Sequence, residues 1–97
     1  MNRSGDLVIA AYESATFWCV AVTDDSTIIT YSWYFSDNMS QPLVIDNQTY
    51  QLGDTRLSID TRLDADGGAG RAGVYRCVAD NGYSKDWAEF QLSVNTS

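Results

Sequence analysis

The segment Gly73-Val74-Tyr75-Arg76-Cys77 decides the fold of this chain. Side chains alternate along an extended strand, so Tyr75 and Cys77, followed by Ala79, share one face. An Asn81-Gly82 pair comes next, and this dipeptide is a strong signal for a tight turn between two antiparallel strands. The segment therefore predicts a β-strand that buries an aromatic ring and a cysteine and continues into a hairpin.

Similar short runs extend from this strand in both directions. They are rich in Val, Ile, Thr, Tyr, Phe and Trp, and clusters of Gly, Asn, Asp and Ser separate them. The predicted strands cover residues 6–10, 14–22, 29–36, 42–46, 50–52, 56–63, 73–80 and 88–94. No run has a sustained helical period. A series of short strands of this kind predicts an all-β chain folded as a two-sheet sandwich.

Alternation within these runs predicts the core. Every second residue is apolar, most clearly in residues 88–94, so one face of each strand is expected to be buried. Outside residues 73–80, the predicted core residues are Ala15, Phe17, Cys19, Ala21, Tyr31, Trp33, Phe35, Leu57, Ile59, Leu63, Ala88, Phe90, Leu92 and Val94.

Composition excludes several classes of function. The 97 residues are enough for one domain, predicted to span residues 1–97. A net charge of −7 disfavours nucleic acids and anionic membrane surfaces as partners, and no apolar run has the length of a membrane span. Because the chain has no histidine and no nucleophile motif, we expect neither enzymatic activity nor a cofactor.

The acidic stretch Asp64-Ala65-Asp66-Gly67 is the only hint of a metal site. The spacing of a calcium-binding EF-hand loop would place ligands at Arg62 and Gly73, neither of which can serve. We therefore predict a solvated acidic turn and no metal site.

The cysteines and asparagines bear on the cellular compartment. The two cysteines allow either one bridge or two free thiols, and a bridge would imply an oxidising compartment. Four of the five asparagines begin an Asn-x-Ser/Thr triplet, namely Asn2, Asn38, Asn47 and Asn95. About one such triplet is expected by chance from this composition. The excess favours a glycosylated extracellular surface over a coincidence in a Ser/Thr-rich chain.

The set Cys19, Trp33 and Cys77, with Tyr75 two residues before the second cysteine, resembles the immunoglobulin superfamily. The continuation Val78-Ala79-Asp80-Asn81 gives a Cys-x-Ala-x-Asn pattern similar to the intermediate (I-set) type of adhesion molecules and receptors. Residues 56–59 and 90–94 are similar to the E and G strands of that family, so the resemblance covers nearly the whole chain.

This resemblance implies an immunoglobulin-like, two-sheet antiparallel Greek-key sandwich. It further implies a disulfide between Cys19 and Cys77 that joins the sheets, with Trp33 packed against it. The Tyr75 hydroxyl is expected to bond a backbone group near the preceding turn.

Three features depart from the family pattern. In the family, an aspartate four residues before the tyrosine pairs with a basic residue near the bottom of the sandwich. Here that position is Arg71, so Asp64 or Asp66 would have to supply the carboxylate of this pair. The stretch 64–70 is longer than usual, and its glycines predict a mobile loop. The interval from Cys19 to Trp33 is long, which predicts a protruding loop around residues 24–26.

The predicted function is a protein-binding module of a cell-surface or secreted protein, active in adhesion or receptor recognition. Met1 is interpreted as an expression start, with signal, anchor and neighbouring domains elsewhere in a larger parent. The expected partner is a protein, including a second copy of this chain. The alternatives are a structural repeat of an intracellular muscle or cytoskeletal protein and an antigen-receptor-like variable domain, and the short 42–46 region argues against the latter.

Exposed aromatic residues are the candidate partner-binding residues, because such residues are enriched where proteins bind one another. Alternation directs several apolar side chains outward, and the hairpin after residue 80 carries two large rings. The candidates are Tyr83, Trp87, Val78, Asp80, Tyr34 and Trp18, with Val20 beside the last.

Overall fold

The structure is a computed structural model that describes residues 2–21, 28–53 and 55–95. Its strands are β1 (Asn2–Arg3), β2 (Leu7–Ala10), β3 (Ser14–Val20), β4 (Thr30–Phe35), β5 (Tyr50–Leu52), β6 (Arg56–Asp60), β7 (Gly73–Asp80) and β8 (Lys85–Asn95). One sheet has the order β1-β3-β6-β5 and the other β2-β8-β7-β4. A turn of 3-10 helix, Ala69–Arg71, precedes β7. The predicted all-β sandwich is confirmed.

One pairing departs from the predicted antiparallel arrangement. Strand β2 runs parallel to β8, with Leu7 opposite Leu92 and Ala10 opposite Asn95. The preceding strand β1 pairs with β3 in the other sheet, so the start of the chain crosses from one sheet to the other. The Asp6 carboxylate accepts a hydrogen bond from the Gln91 backbone N–H at 2.8 Å where the chain arrives at β8.

The two-residue strand β1 was not predicted, because Asn2 and Arg3 are polar and carry no alternation signal. Its position has a tertiary cause. The Arg3 guanidinium carbon lies 4.3 Å from the centroid of the Phe90 ring, and Arg3 also forms a 3.5 Å ion pair with Asp6. A basic side chain therefore covers the edge of the core where the sequence shows only a polar stretch.

Several predicted strand boundaries need correction, and β8 begins at Lys85 and not at residue 88. Residues 42–46 form no strand, although the Leu43 N–H donates to the Trp33 carbonyl at 2.8 Å and so keeps this stretch beside β4. Strand β3 ends at Val20, while Val22 and the loop predicted to protrude around residues 24–26 lie outside the described residues.

The prediction that Leu63 belongs to the core is wrong, since its side chain is 87% exposed. Strand β6 ends at Asp60, and Thr61 is buried instead. The Thr61 hydroxyl donates to the Glu13 carbonyl at 2.6 Å, and the Asp64 N–H donates to the Thr61 carbonyl at 3.1 Å. The hydrogen-bonded turn at Thr61 ends the two-residue alternation, so Leu63 faces solvent.

The core lies between the sheets and is built from aromatic rings around one disulfide. Cys19 of β3 is bonded to Cys77 of β7, with their Cα atoms 6.6 Å apart, so the predicted bridge between the sheets is confirmed. Trp33 lies opposite Cys77 in the neighbouring strand and is buried. The Phe90 ring centroid lies 4.9 Å from that of Phe17 and 5.6 Å from that of Trp33.

The glycine-rich stretch before β7 is closely packed. Gly67 and Gly68 are buried, and Gly67 accepts a hydrogen bond from the Tyr12 N–H at 3.0 Å. Gly68 has a φ of 102°, and a Cβ atom there would lie 2.5 Å from the Thr61 Cγ2. These contacts argue against the mobile loop predicted from glycine content, because the glycines permit a close approach to Thr61.

Candidate protein-binding surface

The outward face of the β4, β7 and β8 strands gathers most of the predicted partner-binding residues. Register places Ser32, Val78 and Trp87 in one row across the three strands. Their neighbours Trp33, Cys77 and Ala88 are buried, so this row faces away from the core. Trp87 is 56% exposed, and Val78 is partly covered.

The adjacent row contains Tyr34, Arg76 and Glu89. The Arg76 Nη2 and the Glu89 Oε2 are 2.7 Å apart, and the guanidinium carbon lies 4.9 Å from the centroid of the Trp87 ring. Arg76 therefore balances the Glu89 charge and supports one face of Trp87. Sequence reasoning missed Arg76 and Glu89, because only the register between β7 and β8 brings them together.

The β7–β8 hairpin, residues 81–84, presents Tyr83 at one end of this face. The Asn81 side-chain oxygen accepts hydrogen bonds from the backbone N–H groups of Tyr83 at 2.8 Å and Ser84 at 2.7 Å. Asp80 caps the same turn by accepting the Gly82 N–H at 2.8 Å. The turn is thus fixed by side-chain hydrogen bonds, while the Tyr83 ring is 98% exposed.

Trp18 belongs to a different surface. It lies on β3 opposite Arg56 of β6, on the outward face of the other sheet, and is 37% exposed, as is Val20. The Trp18 backbone N–H donates to the Ser4 hydroxyl at 3.0 Å, and its carbonyl accepts the Ser4 N–H at the same distance. The sandwich therefore separates Trp18 from the remaining candidates.

At the other end of β7, Arg71 stands where the family pattern has an aspartate, and it forms an ion pair with Asp64. Its Nε lies 3.1 Å from Asp64 Oδ2 and its Nη2 lies 3.2 Å from Asp64 Oδ1. The hydrogen bond to Asp64 raises the pKa of Arg71. Asp66 instead accepts the N–H groups of Gly68 and Gly70, both at 2.9 Å, and these bonds lower the pKa of its carboxyl group.

Tyr75 completes this end of the domain. Its hydroxyl donates to the Arg71 carbonyl at 2.7 Å and lies 3.3 Å from the Tyr50 hydroxyl. Burial of the ring raises the pKa of Tyr75. The predicted bond from this tyrosine to the backbone near the preceding turn is confirmed.

No metal site or membrane span is found in the part of the chain that the structure describes. Within it, no three Asp, Glu or Cys side chains are grouped to hold a metal ion. Among the same residues, no helix is long and apolar enough to cross a lipid bilayer.

Two sequons flank the 64–71 segment. Asn38 is exposed, and its side-chain oxygen accepts the Ser40 hydroxyl at 2.6 Å and the Ser40 N–H at 3.1 Å. Asn38 and Arg71 line one cleft of about 340 Å³. Asn47 is exposed with a φ of 62°, and it lines a second cleft of about 400 Å³ together with Asp64.

The other two sequons lie at opposite ends of the domain. The Asn95 carbonyl accepts the Ala11 N–H at 2.9 Å, next to the contact between Tyr12 and Gly67. Asn2 lies in β1 opposite Val20 and is exposed. Three sequons therefore surround the segment that precedes β7, whereas the hairpin follows β7, eight residues or about 25 Å away.

Comparison with known proteins identifies the fold. No family model and no curated protein matches the sequence. Among solved structures, extracellular domains 3–5 of Drosophila OTK superpose with a TM-score of 0.72 at 20% identity, covering 97% of this chain and 30% of that one. A mutated three-domain immunoglobulin segment of titin gives 0.67 at 26% identity, covering 95% and 30%. The Ig-like domain of human leucine-rich repeat-containing protein 4 gives 0.74 at 20% identity, covering 100% and 86%.

These likenesses extend over nearly the whole chain, although the chain spans only 30% of the first two structures. They agree with the two-sheet topology of this chain. The chain is an immunoglobulin-like β-sandwich domain, as the resemblance in its sequence predicted.

Proposed function

We propose that this chain is an I-set type extracellular domain, spanning residues 1–97 of a larger protein, that binds another protein in adhesion or receptor recognition. The observation that carries this proposal is the outward row of Val78 and Trp87 with Tyr83 exposed beside it. Large rings held on a rigid scaffold suit a binding hot spot. The Cys-x-Ala-x-Asn sequence at the end of β7, residues 77–81, supports the I-set type.

The extracellular location is supported by the disulfide and the sequons. Disulfides persist in oxidising compartments, and OTK supplies extracellular domains among the similar structures. The alternative is a structural repeat of an intracellular protein, which the likeness to titin domains favours. Free thiols at Cys19 and Cys77 in protein isolated from its native source would favour that alternative.

The charge of the domain favours a basic partner surface. The net charge of −7 disfavours binding to an acidic partner, and a second copy of this chain would be such a partner. Association with a basic protein is expected to weaken as salt concentration rises, because exposed charges are screened.

Glycan occupancy at Asn38 and Asn47 is expected when the protein is made in animal cells. Both asparagines are exposed and lie outside the strands, where a glycan can be attached. Peptide mass mapping before and after enzymatic deglycosylation measures this. Ser40→Ala and Thr49→Ala each remove one sequon and provide controls for assignment. Unmodified asparagine at both positions would contradict the extracellular proposal.

Such glycans would leave the hairpin accessible. Asn38, Asn47 and Asn95 surround the segment that precedes β7, so their sugars would crowd that end. The hairpin lies at the other end of β7, where the remaining sequon, Asn2, belongs to the opposite sheet. We therefore place the partner on the hairpin end of the β4–β7–β8 face.

The combined substitution Tyr83→Ala and Trp87→Ala is expected to weaken partner binding at least about 30-fold, the effect of losing a hot spot worth about 2 kcal/mol. Trp18→Ala removes an equally large ring from the opposite sheet and is expected to leave binding unchanged. Cell aggregation or binding by the full ectodomain measures the effect, and thermal melts check folding. If Trp18→Ala abolishes binding while the hairpin variant retains it, the β1–β3–β6–β5 face is the interface.

A further inference from the structure

In the turn of the β7–β8 hairpin, hydrogen-bonding groups around Asn81 are placed where they could assist an attack on its side-chain carbonyl. The Gly82 N–H donates to the Asp80 Oδ1 at 2.8 Å. The Asn81 Oδ1 accepts the N–H groups of Tyr83 and Ser84 at 2.8 Å and 2.7 Å. The backbone nitrogen that follows an asparagine can attack its Cγ and close a five-membered ring. Here that nitrogen and the carbonyl it would attack each have a hydrogen-bond partner in place.

Each partner has a role in such an attack. Two backbone N–H groups directed at one carbonyl oxygen stabilise the negative charge that develops there, as in an oxyanion hole. A carboxylate hydrogen-bonded to the attacking N–H can accept its proton. Gly82 has a φ of 89°, and among the described residues none beyond its two chain neighbours comes within 4 Å of the position a Cβ would take, so no other segment packs against the glycine.

We propose that Asn81 is a self-modification site, at which Asp80 and the hairpin backbone promote deamidation. The Gly82 nitrogen bonds to the Asn81 Cγ and its proton passes to Asp80, which leaves an oxyanion on Oδ1. The bond from Cγ to Nδ2 then breaks, and ammonia leaves with the proton from Asp80. Water hydrolyses the resulting succinimide at either carbonyl, giving aspartate or isoaspartate at position 81. The net reaction consumes one water and releases one ammonia.

The modification would alter the hairpin without unfolding the sandwich. Either product adds a negative charge beside Asp80, and isoaspartate also adds a carbon to the backbone before the exposed Tyr83 ring. As the protein ages, the reaction would therefore alter the hairpin end of the β4–β7–β8 face, where we place the partner. It does not depend on that placement, since it requires only residues 80–84.

The experiment follows deamidation at position 81 in the folded protein at neutral pH, by peptide mapping and enzymatic methylation of isoaspartate. We expect Asn81 to react faster in the folded protein than in the same chain unfolded in urea. Asp80→Asn keeps an oxygen for the Gly82 N–H but cannot accept the proton, and it is expected to slow the reaction about a hundredfold, the lower range for a positioned base. Asp86→Asn makes the same change of charge on β8, outside residues 80–84, and is expected to leave the rate unchanged.

The pH dependence separates a chemical role of Asp80 from a structural one. With Asp80 as proton acceptor, the rate is expected to change little with pH around neutrality. In Asp80→Asn the rate is expected to rise with hydroxide concentration. Faster reaction in the unfolded chain would mean that the hydrogen bonds protect Asn81, and equal rates in Asp80→Asn and wild type would mean that Asp80 does not accept the proton. Either result would overturn the proposal.

Discussion

Replacing both Cys19 and Cys77 by alanine is expected to lower the free energy of unfolding by about 4 kcal/mol, the entropy of the 58-residue loop that the bridge closes. The bridge joins β3 to β7 across the core, so it restricts the unfolded chain along much of its length. Both sulfur atoms are fully buried, and their loss also removes packing against Trp33. Urea unfolding monitored by tryptophan fluorescence measures the change.

Chemical reduction of the unchanged protein provides the matched control. Reduction removes the cross-link but keeps both side chains, so the difference between the reduced protein and the double-alanine variant isolates the packing contribution. We expect most of the loss to appear on reduction alone. An unfolding midpoint that reduction leaves unchanged would contradict this account of the bridge.

Gly68→Ala is expected to cost about 3 kcal/mol, from the left-handed backbone and overpacking together. The φ of Gly68 is 102°, and a Cβ atom there would lie 2.5 Å from the Thr61 Cγ2 and 2.7 Å from the Thr61 Cβ. Thr61 cannot move aside easily, because it is buried and its hydroxyl bonds the Glu13 carbonyl at 2.6 Å. Thermal and urea unfolding measure the loss.

Alanine substitutions at two other glycines distinguish the cost of the left-handed backbone from the cost of overpacking. Gly82 has a φ of 89°, and apart from its chain neighbours no described residue comes within 4 Å of the added atom, so Gly82→Ala is expected to show only the backbone cost of about 1–2 kcal/mol. Gly53→Ala meets only the Arg56 Cβ, at 3.7 Å, and is expected to be nearly neutral. Equal losses in Gly68→Ala and Gly82→Ala would show that Thr61 does not resist the added methyl group.

Much of the fold could be predicted from the sequence. The alternating residues of β3, β4, β7 and β8 lie on the faces expected, because the two-residue period of a strand determines which side chains share a side. The bridge, the buried Trp33 and the hydroxyl bond of Tyr75 follow the family pattern seen in the sequence. Periodicity also placed Val78 and Trp18 on outward faces.

Only the tertiary structure decided which of these side chains meet. Alternation cannot show where a strand ends. It predicts Leu63 in the core, but the turn at Thr61 ends the alternation before Leu63, whose side chain faces solvent. The choice of Asp64 over Asp66 as partner of Arg71 depends on how the loop before β7 folds. Registers between strands place Trp87 beside Val78 and leave Trp18 on the other sheet. The physical reason is that periodicity is local, whereas registers and turns depend on contacts between residues far apart in the chain.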